Sequence, residues 1–151
     1  DGLAIDGDGN VYVADWRNDR IQKFTGDGNF LLEFGVTGDG DGEFHRPSGV
    51  GVDQEGYIYV VDWGNDRVQA FDPEGRFVTK FLGDCPGYSK WAVARMASNP
   101  ENMEEQRQLV KDFGPERRFF QPTGIEVDSD NRIIIADTGR HRLQIYQKVS
   151  G

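Results

Sequence analysis

Short apolar runs recur along the chain, separated by clusters of Gly, Asp, Asn and Pro. Val11–Asp15 (VYVAD), Ile58–Asp62 (IYVVD) and residues 133–137 (IIIAD) are nearly continuous in apolar character, as strands covered on both faces are. The run after each of the first two alternates. Ile21 and Lys23, like Val68 and Ala70, fall on one face; Gln22 and Phe24, like Gln69 and Phe71, fall on the other. Strands of this length, joined only by short turns, predict antiparallel meanders and an all-β protein.

The runs belong to a repeat. Residues 11–24 (VYVADWRNDRIQKF) return at 58–71 (IYVVDWGNDRVQAF) and more loosely at 133–146 (IIIADTGRHRLQIY), so that Asp15, Asp62 and Asp137 are separated by 47 and 75 residues. An upstream motif keeps the same offsets: GLAID at 2–6, GVGVD at 49–53 and GIEVD at 124–128. Two landmarks shifting together define a repeat with one insertion. Each copy reads as four strands. Gly9, Gly56 and Asn131 hold equivalent places in the first turn, which predicts a left-handed backbone there, with the leading Asp accepting hydrogen bonds from the turn's amides. One meander cannot bury two apolar faces, and repeating it radially gives a β-propeller.

The recurring Pro-x-Gly before an Asp-ended strand, the Tyr-Val-x-Asp strand, the Asn-x-Arg-apolar-Gln-x-Phe segment and the closing Phe-Gly resemble the NHL repeat family. The resemblance implies a propeller, commonly of six blades, and covers nearly the whole chain outside the insertion. The third copy departs from it, with Arg140 and His141 in place of the Asn-Asp pair. The expected layout over 1–151 is blade one at 1–46, blade two at 47–83, an insertion at 84–117, and blade three at 118–151 without its outer strand. Three blades leave two faces open, so a further protein subunit, or a copy of the chain itself, is expected to complete the ring unless the chain is a piece of a longer propeller.

The insertion carries Trp91, Ala92, Val93, Met96 and Ala97 at helical spacing after Ser89. A second helix signal runs from Asn99-Pro100-Glu101 to Phe113-Gly114-Pro115. The pattern predicts a short helical hairpin between blades two and three. Meander geometry places it on the same propeller face as the Asp-Trp-x-Asn-Asp-Arg loops. Candidate ligand or partner contacts on that face are Trp16, Arg17, Trp63, Trp91, Thr138, Arg140 and His141. The Asp and Arg of those loops recur in every copy, which favours a structural pairing. The two tryptophans also suit packing between blades. Glu126 replaces the small Ala4 and Gly51 on an innermost strand and is a candidate lining residue of the central channel.

Composition narrows the chemistry. The formal net charge of −9 and pI near 4.6 disfavour generic nucleic-acid binding. No apolar run is long enough to span a membrane as a helix. Cys85 is the single cysteine, without a CxxC partner for zinc. No cofactor is predicted. Asp39, Asp41 and Glu43 form an acidic loop short of a full calcium-loop pattern, a weak candidate for calcium alone. His45 and His141 lie at non-equivalent positions, and no serine stands in a nucleophile-elbow motif. The reading is a non-catalytic binding or scaffolding propeller whose ligand, protein or glycan-like, meets the tryptophan-bearing face. The alternative is part of a metal-dependent propeller lyase or hydrolase whose site other blades complete. The residues name no compartment; the resemblance alone leans toward an extracytoplasmic one.

Overall fold

The computed structural model describes residues 2–83 and 118–148. The expected helical hairpin at 84–117, with Cys85 and Trp91, lies outside the described residues. Among the described residues, no helix is long and apolar enough to cross a membrane.

Three antiparallel meanders follow one another. The first comprises β1 (Leu3–Ile5), β2 (Val11–Asp15), β3 (Arg20–Phe24) and β4 (Phe30–Phe34), paired in that order. A parallel pair, β5 (Val36–Thr37) with β6 (Glu43–Phe44), bridges to the second. That sheet is β7 (Pro47–Val52), β8 (Ile58–Asp62), β9 (Arg67–Phe71) and β10 (Phe77–Phe81). The third has three described strands, β11 (Pro122–Val127), β12 (Arg132–Asp137) and β13 (Arg142–Gln147).

The predicted turn position is left-handed in every copy, with φ of 83° at Gly9, 88° at Gly56 and 59° at Asn131. The preceding aspartate organises each turn. Asp6 Oδ1 accepts from the Asp8 and Asn10 amides, Asp53 Oδ1 from Glu55 and Tyr57, and Asp128 Oδ1 from Asp130 and Arg132. On Asp6, burial favours the neutral carboxyl, but the donors from Asn10, Tyr12 and Asp8 outweigh it and hold the group below its ordinary range.

The core lies between the sheets. Ile58 and Val60 of β8 face the first sheet, with Tyr12, Ile21, Phe44 and Phe71; Tyr59 and Val61 face the third, with Phe81, Ile133, Ile135 and Tyr146. Every residue of β8 is therefore buried, which is why its sequence has no polar alternation. The outer sheets are each covered on one side. Leu3, Ile5 and Leu31 of the first, and Leu143 and Ile145 of the third, are exposed. Aromatics seal each sheet pair: Phe44 packs on Phe34 and Phe71, and Phe119 packs on Tyr146, which also meets Phe81. A polar pin joins the second and third sheets. Lys148 Nζ, buried, contacts Asp53 Oδ2 at 2.8 Å, and Tyr59 Oη donates to the same oxygen. Burial and the Asp53 charge push the Tyr59 phenol well above the usual tyrosine range.

Innermost strands β1, β7 and β11 approach closely at glycines. A Cβ on Gly2 would lie 2.5 Å from the Gly49 Cα, and one on Gly51 would lie 3.1 Å from a Val127 methyl.

Candidate functional site

The connections between second and third strands, and the crossings from sheet to sheet, gather at one end of the meanders. Each strand-two aspartate builds its connection. Asp15, Asp62 and Asp137 pair with the arginine five residues on, at 3.0, 2.7 and 2.8 Å. The middle pair is the most enclosed, with side-chain exposures of 5 % for Arg67 and 0 % for Asp62. Arg67 also donates to the carbonyls of Asp39, Gly40 and Glu43, so the first crossing is wrapped around it. The repeating Asp and Arg are thus structural. Asn18 and Asn65 donate to Asp15 and Asp62, and the Asn18 amide is the leading cause holding the Asp15 carboxyl below its ordinary value.

The next residue latches one sheet to the following crossing. Asp19 Oδ1 accepts from the Arg46 amide at 2.7 Å, and Asp66 Oδ1 from the Gln121 amide at 2.8 Å. Arg46 and Gln121 are left-handed, with φ of 56° and 53°, a conformation that costs energy for side chains of this kind and is held here by the aspartate. Immediately after them the ladder slips, between Pro47 and Gly49 and again between Pro122 and Gly124. Ser48 and Thr123 are the residues skipped. Bulges re-aim side chains, and these two turn to the same hollow.

That hollow, about 400 Å³ and open to solvent, is lined by Trp16, Arg46, Ser48, Trp63 and Thr123. Trp16 is 40 % exposed and carries the Arg17 guanidinium 5.2 Å from its ring centroid. Trp63 is half-buried and opens a single 3-10 turn (Trp63–Asn65). Ser48 Oγ donates to the Thr123 carbonyl, and the Thr123 and Thr138 hydroxyls are hydrogen-bonded to each other. Trp16, Trp63 and Thr138 are equivalent in the repeat, so the hollow follows the repeat across three sheets.

The remaining sequence candidates divide. Arg17, Thr138, Arg140 and His141 are exposed on the same end. Arg140 stacks 5.5 Å from the Phe120 ring centroid, and His141, at φ 55°, keeps the left-handed backbone of Asp19 and Asp66, both at 51°. Glu126 lies apart from this end. It is exposed and lines a second hollow of about 310 Å³ at the inner strands with Leu3, Ile5, Val50 and Val52. Trp91 lies outside the described residues. In the acidic loop, Glu43 Oε2 accepts from the Gly40 amide and Asp41 pairs with Lys80. Among the described residues, no group of three His, Cys, Asp or Glu side chains converges to hold a metal ion.

Sequence reasoning singled out neither Arg46 nor the two bulge residues. The available signal was position: they flank Pro47 and Pro122, the prolines that mark each crossing.

Meanders stacked side by side around a set of innermost strands make a β-propeller. The model of the 6-bladed beta-propeller family matches residues 5–86, and that of the NHL repeat matches residues 119–146. The chain belongs to the 6-bladed beta-propeller family and carries NHL-type repeats. No curated protein sequence matches it. Solved structures that resemble it are propellers of low identity. An auxiliary nutrient binding protein from Bacteroides thetaiotaomicron VPI-5482 is 16 % identical with a TM-score of 0.61, over 95 % of this chain and 36 % of that one. A streptogramin B lyase is 17 % identical with a TM-score of 0.51, over 96 % and 39 %. Regucalcin from Agrobacterium tumefaciens C58, described as a calcium-binding protein, is 18 % identical with a TM-score of 0.51, over 89 % and 36 %. The chain spans about two-fifths of the length of such structures. These likenesses show the fold.

Proposed function

We propose that this chain is a non-catalytic binding module whose ligand seats in the hollow between Trp16 and Trp63. The observation that carries the reading is the convergence of two equivalent indoles, one of them 40 % exposed, on an open hollow rimmed by Ser48, Thr123 and Arg46. Flat apolar surfaces beside a few fixed polar groups are what small-ligand sites are made of. Arg17, Thr138, Arg140 and His141 extend the contact surface along the same end, and Trp91 would join it from the insertion. Glu126 serves the channel instead. The ligand class is a glycan or a glycan-like group on a protein. Further propeller blades, from a longer polypeptide, a second subunit or a copy of the chain, would cover the apolar faces of Leu3, Ile5, Leu143 and Ile145.

The test compares the full chain with a Trp16→Ala/Trp63→Ala variant on an immobilised glycan array. Signals lost in the variant, with an unchanged far-ultraviolet spectrum, support the reading. Signals that persist at full strength overturn it. Stoichiometric zinc or calcium in the purified protein, together with turnover of a peptide or ester, would favour the metal-dependent lyase or hydrolase reading in its place.

A further inference from the structure

Resting on that reading of the groove, we propose that its ligand is an acidic saccharide, a sugar bearing a carboxylate that Arg46 receives. Three observations converge. Arg46 lines the hollow and has no carboxylate partner among the described residues, in a chain with a formal charge of −9. Asp19 is engaged elsewhere: its Oδ1 accepts from the Arg46 amide and its Oδ2 from the Thr37 hydroxyl, each at 2.7 Å. Arg17, the other arginine at this rim, lies against the Trp16 ring, and no carboxylate pairs with it among the described residues either.

A guanidinium with open donors beside an indole selects a carboxylate attached to a flat, weakly polar body. The hydroxyls of Ser48 and Thr123 favour a sugar ring over an acidic peptide. Both sit on bulges outside the sheet ladder and are held in place, Ser48 Oγ by its bond to the Thr123 carbonyl and the Thr123 hydroxyl by its bond to the Thr138 hydroxyl, which leaves fixed acceptor lone pairs for the hydroxyls of a pyranose. The protein's overall negative charge does not cancel the effect. At physiological ionic strength, charges more than about 8 Å away are largely screened, so the hollow responds to the charges beside it, where Asp62 is paired with Arg67 and Asp19 is hydrogen-bonded, and not to the net charge of the chain.

Gln121 occupies the equivalent position one blade on, in the same left-handed conformation and held by the equivalent aspartate. Arg46→Gln is therefore a substitution the local backbone already accommodates. The experiment titrates the full chain with trigalacturonic acid, its methyl ester and a hexameric glutamate peptide, following tryptophan fluorescence and calorimetry. The expected result is binding of the free acid about tenfold or more tighter than the ester, with Arg46→Gln reducing the acid's affinity to the ester's level. Equal affinity for acid and ester, unchanged by Arg46→Gln, overturns the carboxylate assignment and leaves the groove standing. Binding of the peptide but neither sugar overturns the saccharide. Binding of none of the three overturns the assignment as well, and the glycan array then decides whether the groove binds a neutral sugar.

Discussion

Asp62 shows how one carboxylate can hold a blade together. Its Oδ1 accepts from the His45 amide at 2.7 Å, and its Oδ2 receives Arg67, Asn65 and Gln69. Removing it strands a buried guanidinium, which costs about 3–5 kcal/mol for an enclosed pair. Asp15 makes the corresponding pair with Arg20, but those side chains are 22 % and 35 % exposed. Solvent screening limits that loss to about 1 kcal/mol or less. Urea denaturation of Asp62→Ala and Asp15→Ala should show this contrast; equal losses would mean that burial does not set the value of the pair. Aspartates of the turns and of the bracing loop add a pH dependence. Asp6, Asp15, Asp72 and Asp128 all have carboxyls held below the ordinary value of 3.8. A lowered folded value contributes stability that is complete above the unfolded value and is lost as pH falls through the folded one. Thermal midpoints should therefore hold between pH 5 and 7 and drop below about pH 4, with a smaller drop in Asp6→Asn.

At the scale of the element, the repeat made the strands legible and also obscured the site. Covered strands announced themselves by continuous apolar runs, and the left-handed turn position by its Gly, Gly, Asn series. The bulges did not, because Ser48 and Thr123 look like ordinary strand residues, and only the slip in the ladder turns them outward. The same holds for Arg46, whose placement depends on a hydrogen bond from its backbone amide to Asp19, 27 residues away. Gly64 illustrates a close approach hidden in the same way. A Cβ there would collide with the ring and carbonyl of His45, whose oxygen accepts the Gly64 amide at 2.8 Å. Gly64→Ala should cost about 1–3 kcal/mol by overpacking, whereas Gly7→Ala, with open space around it, should stay within about 0.5 kcal/mol. Comparable losses at both sites would contradict the packing of the crossing against the loop. Arg140 and His141, conspicuous in sequence as departures, prove to be where the third copy gives up the Asn and Asp that brace and latch the other two.

For the whole molecule, the sheets divide the labour between two ends. The Gly- and Asp-rich hairpin turns occupy one end, and the bracing loops, latched crossings and tryptophans occupy the other. The central claim is that ligand recognition belongs to the second end, in the hollow between Trp16 and Trp63. Nitrogen-15 spectra of the full chain, recorded with and without trigalacturonic acid, test it directly. The account predicts that the indole Nε1–H signals of Trp16 and Trp63 shift together with the Ser48 and Thr123 amides, while the Gly7 and Gly28 amides of the opposite turns stay in place. Shifts confined to those turns, or none at the two indoles, would contradict it.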